Sequence, residues 1–149
     1  MKKILFILIA LGVVITLLYS PTGTTSKTLS LTGRAIENLP QQTQEQVNQL
    51  ISKEYNVPLI YRLAFPLTLK VVITDLNEII YLDVTSTGIN EIQETEDFDI
   101  EARTDLNTLN TILENPNIAT IRANSENIEY DSDSFKGTVA ISIGRKYLE

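Results

Sequence analysis

The sequence predicts an α+β fold in which a mainly antiparallel β-sheet carries amphipathic helices on one face, preceded by an N-terminal transmembrane helix. Three observations predict this class. An apolar run opens the chain, the segment 67–84 alternates as a β-hairpin does, and two later segments place apolar residues at helical spacing. Strands and helices do not alternate one by one along the chain, which favours antiparallel pairing over a parallel sheet.

The apolar run follows two lysines, begins at Ile4 and ends at Tyr19. Its length of about 16 residues lies between that of a signal segment and that of a membrane-spanning helix. The exit sequence Leu18-Tyr19-Ser20 has a bulky residue where a cleavage site needs a small one, which favours an uncleaved anchor over residues 1–20. The lysines place the N-terminus inside, so we expect a single-pass membrane protein with its soluble domain on the extracytoplasmic side.

The rest of the chain divides into a linker and one domain. Residues 21–40 are rich in Ser, Thr and Gly, which predicts a flexible linker with a short ordered stretch near 35–39. Residues 41–149 are enough for a single α+β domain, and 43% hydrophobic with 21% charged residues is ordinary for a folded chain.

Composition excludes several classes of function. The chain has no His and no Cys, which excludes Ser-His-Asp and Cys-His catalysis, imidazole or thiolate metal sites, and disulfides. The formal net charge of −7 makes nucleic acid an improbable partner, because phosphate backbones are bound by clustered Lys and Arg. We expect no cofactor, and the sequence names no protein partner.

The first helix is predicted over 44–55. Thr43 followed three residues later by Gln46 is a capping-box pattern, and an apolar stripe follows at helical spacing. The stripe consists of Val47, Leu50, Ile51 and Tyr55. The hairpin comes next, with Leu67, Leu69, Val71 and Ile73 on one face of its first strand and Ile80, Leu82 and Val84 on one face of its second.

The stretch "DFDIEARTDLNTLNTILENP" begins at Asp97 with an acid at every second position. Same-face residues on a strand are nearly 7 Å apart, so Asp97, Asp99 and Glu101 alone cannot enclose a metal ion. We interpret them as the solvated face of a strand whose other face carries Phe98 and Ile100. Thr104 is the predicted N-cap of the helix that follows, whose buried stripe is Leu106, Leu109, Ile112 and Leu113.

The last third of the sequence predicts two further strands. One lies near 127–131, and the other near 137–143, where Val139, Ile141 and Ile143 alternate. Between them, "DSDSFKG" begins like a calcium-binding loop but has Phe135 at a ligand position and Lys136 where the turn needs Gly. We therefore expect a turn at this point, with Gly137 allowing a bulge or a positive φ, and no metal site.

This order of elements resembles the sterol carrier protein family, specifically its sterol-transfer domain. In that family a strand with alternating polar residues enters a helix with Asp-Leu near its start, followed by a short helix and a further strand. The corresponding segments are 98–113, 115–121 and 127–131, and the resemblance extends over 43–147. Family members commonly end in a helix, whereas "TVAISIGRKY" predicts a strand. The resemblance implies an apolar pocket between helices and sheet that binds a lipid or another long hydrophobic molecule without chemistry.

The resulting functional hypothesis is a membrane-tethered, non-catalytic lipid-binding domain. Its pocket would be lined by the helix stripes and the inward face of the sheet, namely Val47, Leu50, Ile51, Phe98, Ile100, Leu106, Leu109, Ile112 and Leu113. We expect no catalytic residue. The alternative is an extracytoplasmic protein-interaction or structural module whose core is fully packed, so that the same residues fill the space that a ligand would occupy.

Overall fold

The computed structural model describes residues 35–52, 54, 62 and 65–148. The predicted anchor, most of the predicted linker and the predicted end of the first helix at Tyr55 lie outside the described residues. Among the residues described, no helix is both long and apolar enough to cross a membrane.

Five strands form one sheet in the order β3-β2-β1-β4-β5. They are β1 (Leu67–Ile73), β2 (Glu78–Val84), β3 (Ile89–Ile92), β4 (Ile100–Thr104) and β5 (Glu129–Asp131). Three pairings are antiparallel, but β1 and β4 run parallel at the centre. The α+β class is confirmed, and the sheet is mixed rather than purely antiparallel. The parallel pair arises because the chain leaves β3 at one edge and passes β2 and β1 before it forms β4.

The predicted hairpin is present. Leu69 lies opposite Leu82 and Val71 lies opposite Ile80, so the apolar residues of β1 and β2 share one face of the sheet. The turn between the strands contains Asn77 at a φ of 54°, a left-handed conformation that asparagine tolerates better than most residues. β3 was not predicted, because its four residues lie within a stretch interpreted as a polar connection and carry only two apolar side chains.

In the described part of the chain, four helices accompany the sheet. They are α1 (Gln41–Ile51), α2 (Leu106–Glu114), α3 (Ile118–Asn124) and α4 (Phe135–Leu148), and short 3-10 helices form at Ile36–Asn38 and Ser125–Asn127. The capping box predicted at Thr43 is wrong. The helix begins one turn earlier, after Pro40, whose carbonyl accepts from Gln44 N, and Thr43 is fully buried inside it.

The strand predicted over 137–143 is wrong, because these residues belong to α4. Ser134 begins the helix, since its hydroxyl accepts a hydrogen bond from Gly137 N at 2.9 Å and its carbonyl accepts one from Thr138 N at 3.0 Å. Gly137 has no positive φ, so the bulge or left-handed conformation expected there is absent. On the next turn Ala140 is completely buried in the core.

The hydrophobic core lies between one face of the sheet and the helices. Sheet residues such as Leu67, Ile73 and Ile100 pack with Ile112 of α2. The helices and the segments next to them supply the other core residues, including Ile36, Leu39, Val47, Ile51, Ile121, Ile128 and Ala140. The short ordered stretch expected near 35–39 is therefore a 3-10 helix that contributes to the core, and the folded part of the chain includes Ile36 and Leu39.

Candidate ligand-binding site

The nine residues predicted to line a pocket differ in how deeply they are buried. Four are buried members of the core, namely Val47, Ile51, Ile100 and Ile112. Four pack against the core while part of their surface stays accessible to solvent, namely Leu50, Leu106, Leu109 and Leu113. The ninth, Phe98, is half-buried in the connection before β4, and Lys70 Nζ lies 5.0 Å from the centre of its ring. The structure thus brings eight of the nine together around one core.

The start of α2 is held by two aspartates. Asp105 is the N-cap, and its carboxylate accepts from Thr108 N at 2.8 Å and from Thr108 Oγ1 at 2.9 Å. The backbone hydrogen bond from Thr108 lowers the pKa of Asp105 below its usual value of 3.8. Asp75, in the turn between β1 and β2, accepts from Leu106 N at 2.9 Å. These contacts fix α2, and hence its partly exposed leucines, relative to the hairpin.

The N-cap predicted at Thr104 is wrong by one residue. Thr104 is the last residue of β4, is buried, and donates through its hydroxyl to the carbonyl of Asn127 at 3.3 Å. A neighbouring aspartate is an equally good cap by sequence, and only the length of the strand decides between the two.

Polar side chains join α1 to α2. Thr43 Oγ1 donates to Asn110 Oδ1 at 2.7 Å, and Gln42 Nε2 donates to Glu114 Oε1 at 3.3 Å. The two helices that carry the partly exposed leucines are therefore neighbours. A paired threonine and asparagine between helices gives this junction a fixed geometry, because a buried hydroxyl that loses its partner is costly.

The acidic ladder is not a uniformly solvated face, and this prediction is wrong for Glu101. That residue is buried, its carboxylate lies 2.7 Å from Lys70 Nζ, and it also pairs with Arg103 Nε. The hydrogen bond from Lys70, followed by the one from Arg103, lowers the pKa of Glu101, and the same pairing raises the pKa of Lys70. Asp99 accepts from Thr68 N at 2.9 Å.

This ion cluster lies on the face of the sheet opposite the core. Lys70 is opposite Glu101 in the register of β1 and β4, and both alternate with residues that point into the core. Phe98 completes the cluster, because its ring contacts the ammonium group of Lys70. The prediction that Phe98 shares a face with Ile100 is wrong, because strand alternation begins only at Ile100, where β4 begins.

Glu91 is a buried acid that no sequence pattern above predicts. It lies in β3 opposite Leu82, on the face that meets the helices, and its Oε1 accepts from Ile36 N at 3.3 Å. Burial raises the pKa of Glu91, while the backbone hydrogen bonds from Ile36 and Ala35 oppose that shift and Glu37 adds to it. Glu91 therefore anchors the 3-10 helix that precedes α1. The position of Glu91 two residues after the apolar Ile89 was the sequence signal that could have placed Glu91 on the buried face of a strand.

The segment "DSDSFKG" makes structural contacts. Ser132 Oγ donates to the carbonyl of Asp99 at 2.7 Å, and Ser134 caps α4. In the part of the chain that the structure describes, no group of three or more acidic side chains is arranged to hold a metal ion.

No protein-family model matches this chain, and no curated protein matches it. Among solved structures, the sec-alkylsulfatase Pisa1 from Pseudomonas sp. and a double mutant of that enzyme are each 18% identical, with TM-scores of 0.36 and 0.37. Each match covers 52% of this chain, and the chain spans only 12% of the length of those sulfatases. A protein described as "UbiJ-SCP2 Ubiquinone synthesis protein" is 12% identical with a TM-score of 0.42, over 70% of this chain and 90% of that one.

Proposed function

We propose that this protein is a non-catalytic binding domain that holds a lipid or another long hydrophobic molecule between its helices and the inward face of its sheet. The apolar segment that begins at Ile4 and ends at Tyr19 tethers the domain to a membrane, with the domain on the extracytoplasmic side. The tether keeps the binding site beside the bilayer that supplies its ligand.

The partial burial of the helix leucines carries this proposal. Leu50, Leu106, Leu109 and Leu113 pack against the core, yet each keeps part of its surface accessible to solvent. Removing apolar surface from water contributes roughly 25 cal/mol per Å², so the accessible surface of these leucines is a favourable contact for an alkyl chain. Two neighbouring helices supply the leucines, as expected for a hydrophobic site between helices.

The order of elements supports the same function. The helix, the hairpin, the strand that leads directly into α2, the short α3 and then β5 follow one another in the order on which the resemblance to the sterol carrier protein family rests. The last element that the structure describes is a helix, α4, and members of that family commonly have a helix after the last strand. The predicted strand in "TVAISIGRKY", which differed from the family pattern, is therefore no longer a difference.

The proposal is tested by lipid retention with a matched pair of variants in α2. Leu109→Gln places an uncharged polar group among the partly exposed leucines, whereas Asn107→Gln introduces the same side chain on the exposed side of the same helix, where an amide already stands. The full chain and both variants are purified from membranes in mild detergent, and native mass spectrometry reports the lipid that each retains. We expect the wild type and Asn107→Gln to retain the same lipid, and Leu109→Gln to lose most of it.

Equal retention by all three proteins would place any lipid elsewhere, and retention by none of them would refute lipid binding. The second result supports the alternative function, a protein-interaction or structural module with a fully packed core. Far-UV circular dichroism of each variant shows whether the fold survives, because a folded Leu109→Gln is needed for the comparison.

A further inference from the structure

We draw no further inference here: the strongest candidate, the partly exposed surface patch that Val72 of β1 and Ile79 of β2 form on the outer face of the sheet, carries nothing because nothing in the described part of the chain shows what covers it.

Discussion

Replacing Gly137 with alanine would place a methyl group in space that a side-chain hydroxyl and a backbone carbonyl already fill. A Cβ atom at this position would lie 2.0 Å from Ser132 Oγ and 2.6 Å from the backbone carbonyl of Asp99. Ser132 Oγ itself donates to that carbonyl at 2.7 Å, so the methyl group displaces the hydrogen bond that joins the start of α4 to the residue before β4. The hydroxyl can rotate away, but the carbonyl belongs to the backbone and moves only with its strand.

The expected cost follows from three contributions. An alanine in a helix is more favourable than a glycine by about 0.5–1 kcal/mol. The lost hydrogen bond costs about 1 kcal/mol. Overpacking against a backbone atom costs about 1–3 kcal/mol. Gly137→Ala is therefore expected to lower the free energy of unfolding by about 1–3 kcal/mol, opposite in sign to the usual effect of this substitution in a helix.

Urea unfolding followed by far-UV circular dichroism measures this change in the full chain in mild detergent. Ser132→Ala removes only the hydrogen bond and should cost about 1 kcal/mol. Lys136→Ala, at the exposed neighbouring position, should change the stability by less than about 0.5 kcal/mol. The double variant of Ser132 and Gly137 should be more stable than the sum of the single effects predicts, because both remove the same bond. A Gly137→Ala protein more stable than the wild type would refute the close packing of α4 against Asp99.

Two buried acids give further predictions of opposite sign with pH. Pairing with Lys70 and Arg103 lowers the pKa of Glu101, so its contribution to stability is present above pH 4.5 and is lost as the pH falls through the lowered pKa. Glu101→Gln should therefore be less stable than the wild type at pH 7, by about 1–2 kcal/mol, and its stability should not show this dependence on acid pH. Urea titrations at several pH values measure this, and an equal loss of stability with falling pH in both proteins would contradict the prediction. Burial raises the pKa of Glu91, so the wild type binds more protons when folded than when unfolded and loses stability as the pH rises from 4.5 through the raised pKa. Glu91→Gln keeps an acceptor for Ile36 N, so its stability should fall less as the pH rises over this range. If the variant and the wild type lose the same stability with rising pH, Glu91 is not effectively buried.

Patterns confined to one segment predicted much of the fold. The alternation in β1 and β2 fixes which residues face the core, and the observed register places Leu69 opposite Leu82 as this alternation requires. The strand that leads directly into α2 was also predicted, with Ile100 and Ile112 buried as expected. These features depend on a few consecutive residues, because a period of two or of 3.6 selects strand or helix and its buried face.

Burial on the outer face of the sheet could be predicted only from the neighbouring strand. Glu101 has the sequence signature of a solvated residue, and it becomes buried because the parallel pairing of β4 with β1 places Lys70 beside it. Alternation along one strand states which face a residue occupies. It does not state what lies opposite on that face.

By itself, the sequence determined the α+β class, the hairpin, the α2 stripe and the absence of histidine and cysteine chemistry. Only the tertiary structure decided that β4 joins the sheet in parallel and that the alternating residues after Gly137 form a helix. The physical reason is the same in both cases. A strand exists only with a partner whose backbone groups it can bond, and the identity of that partner depends on residues distant in the chain. At Gly137 the deciding contacts are the Ser134 cap and the closeness of Asp99, which favour a helix where local alternation favours a strand.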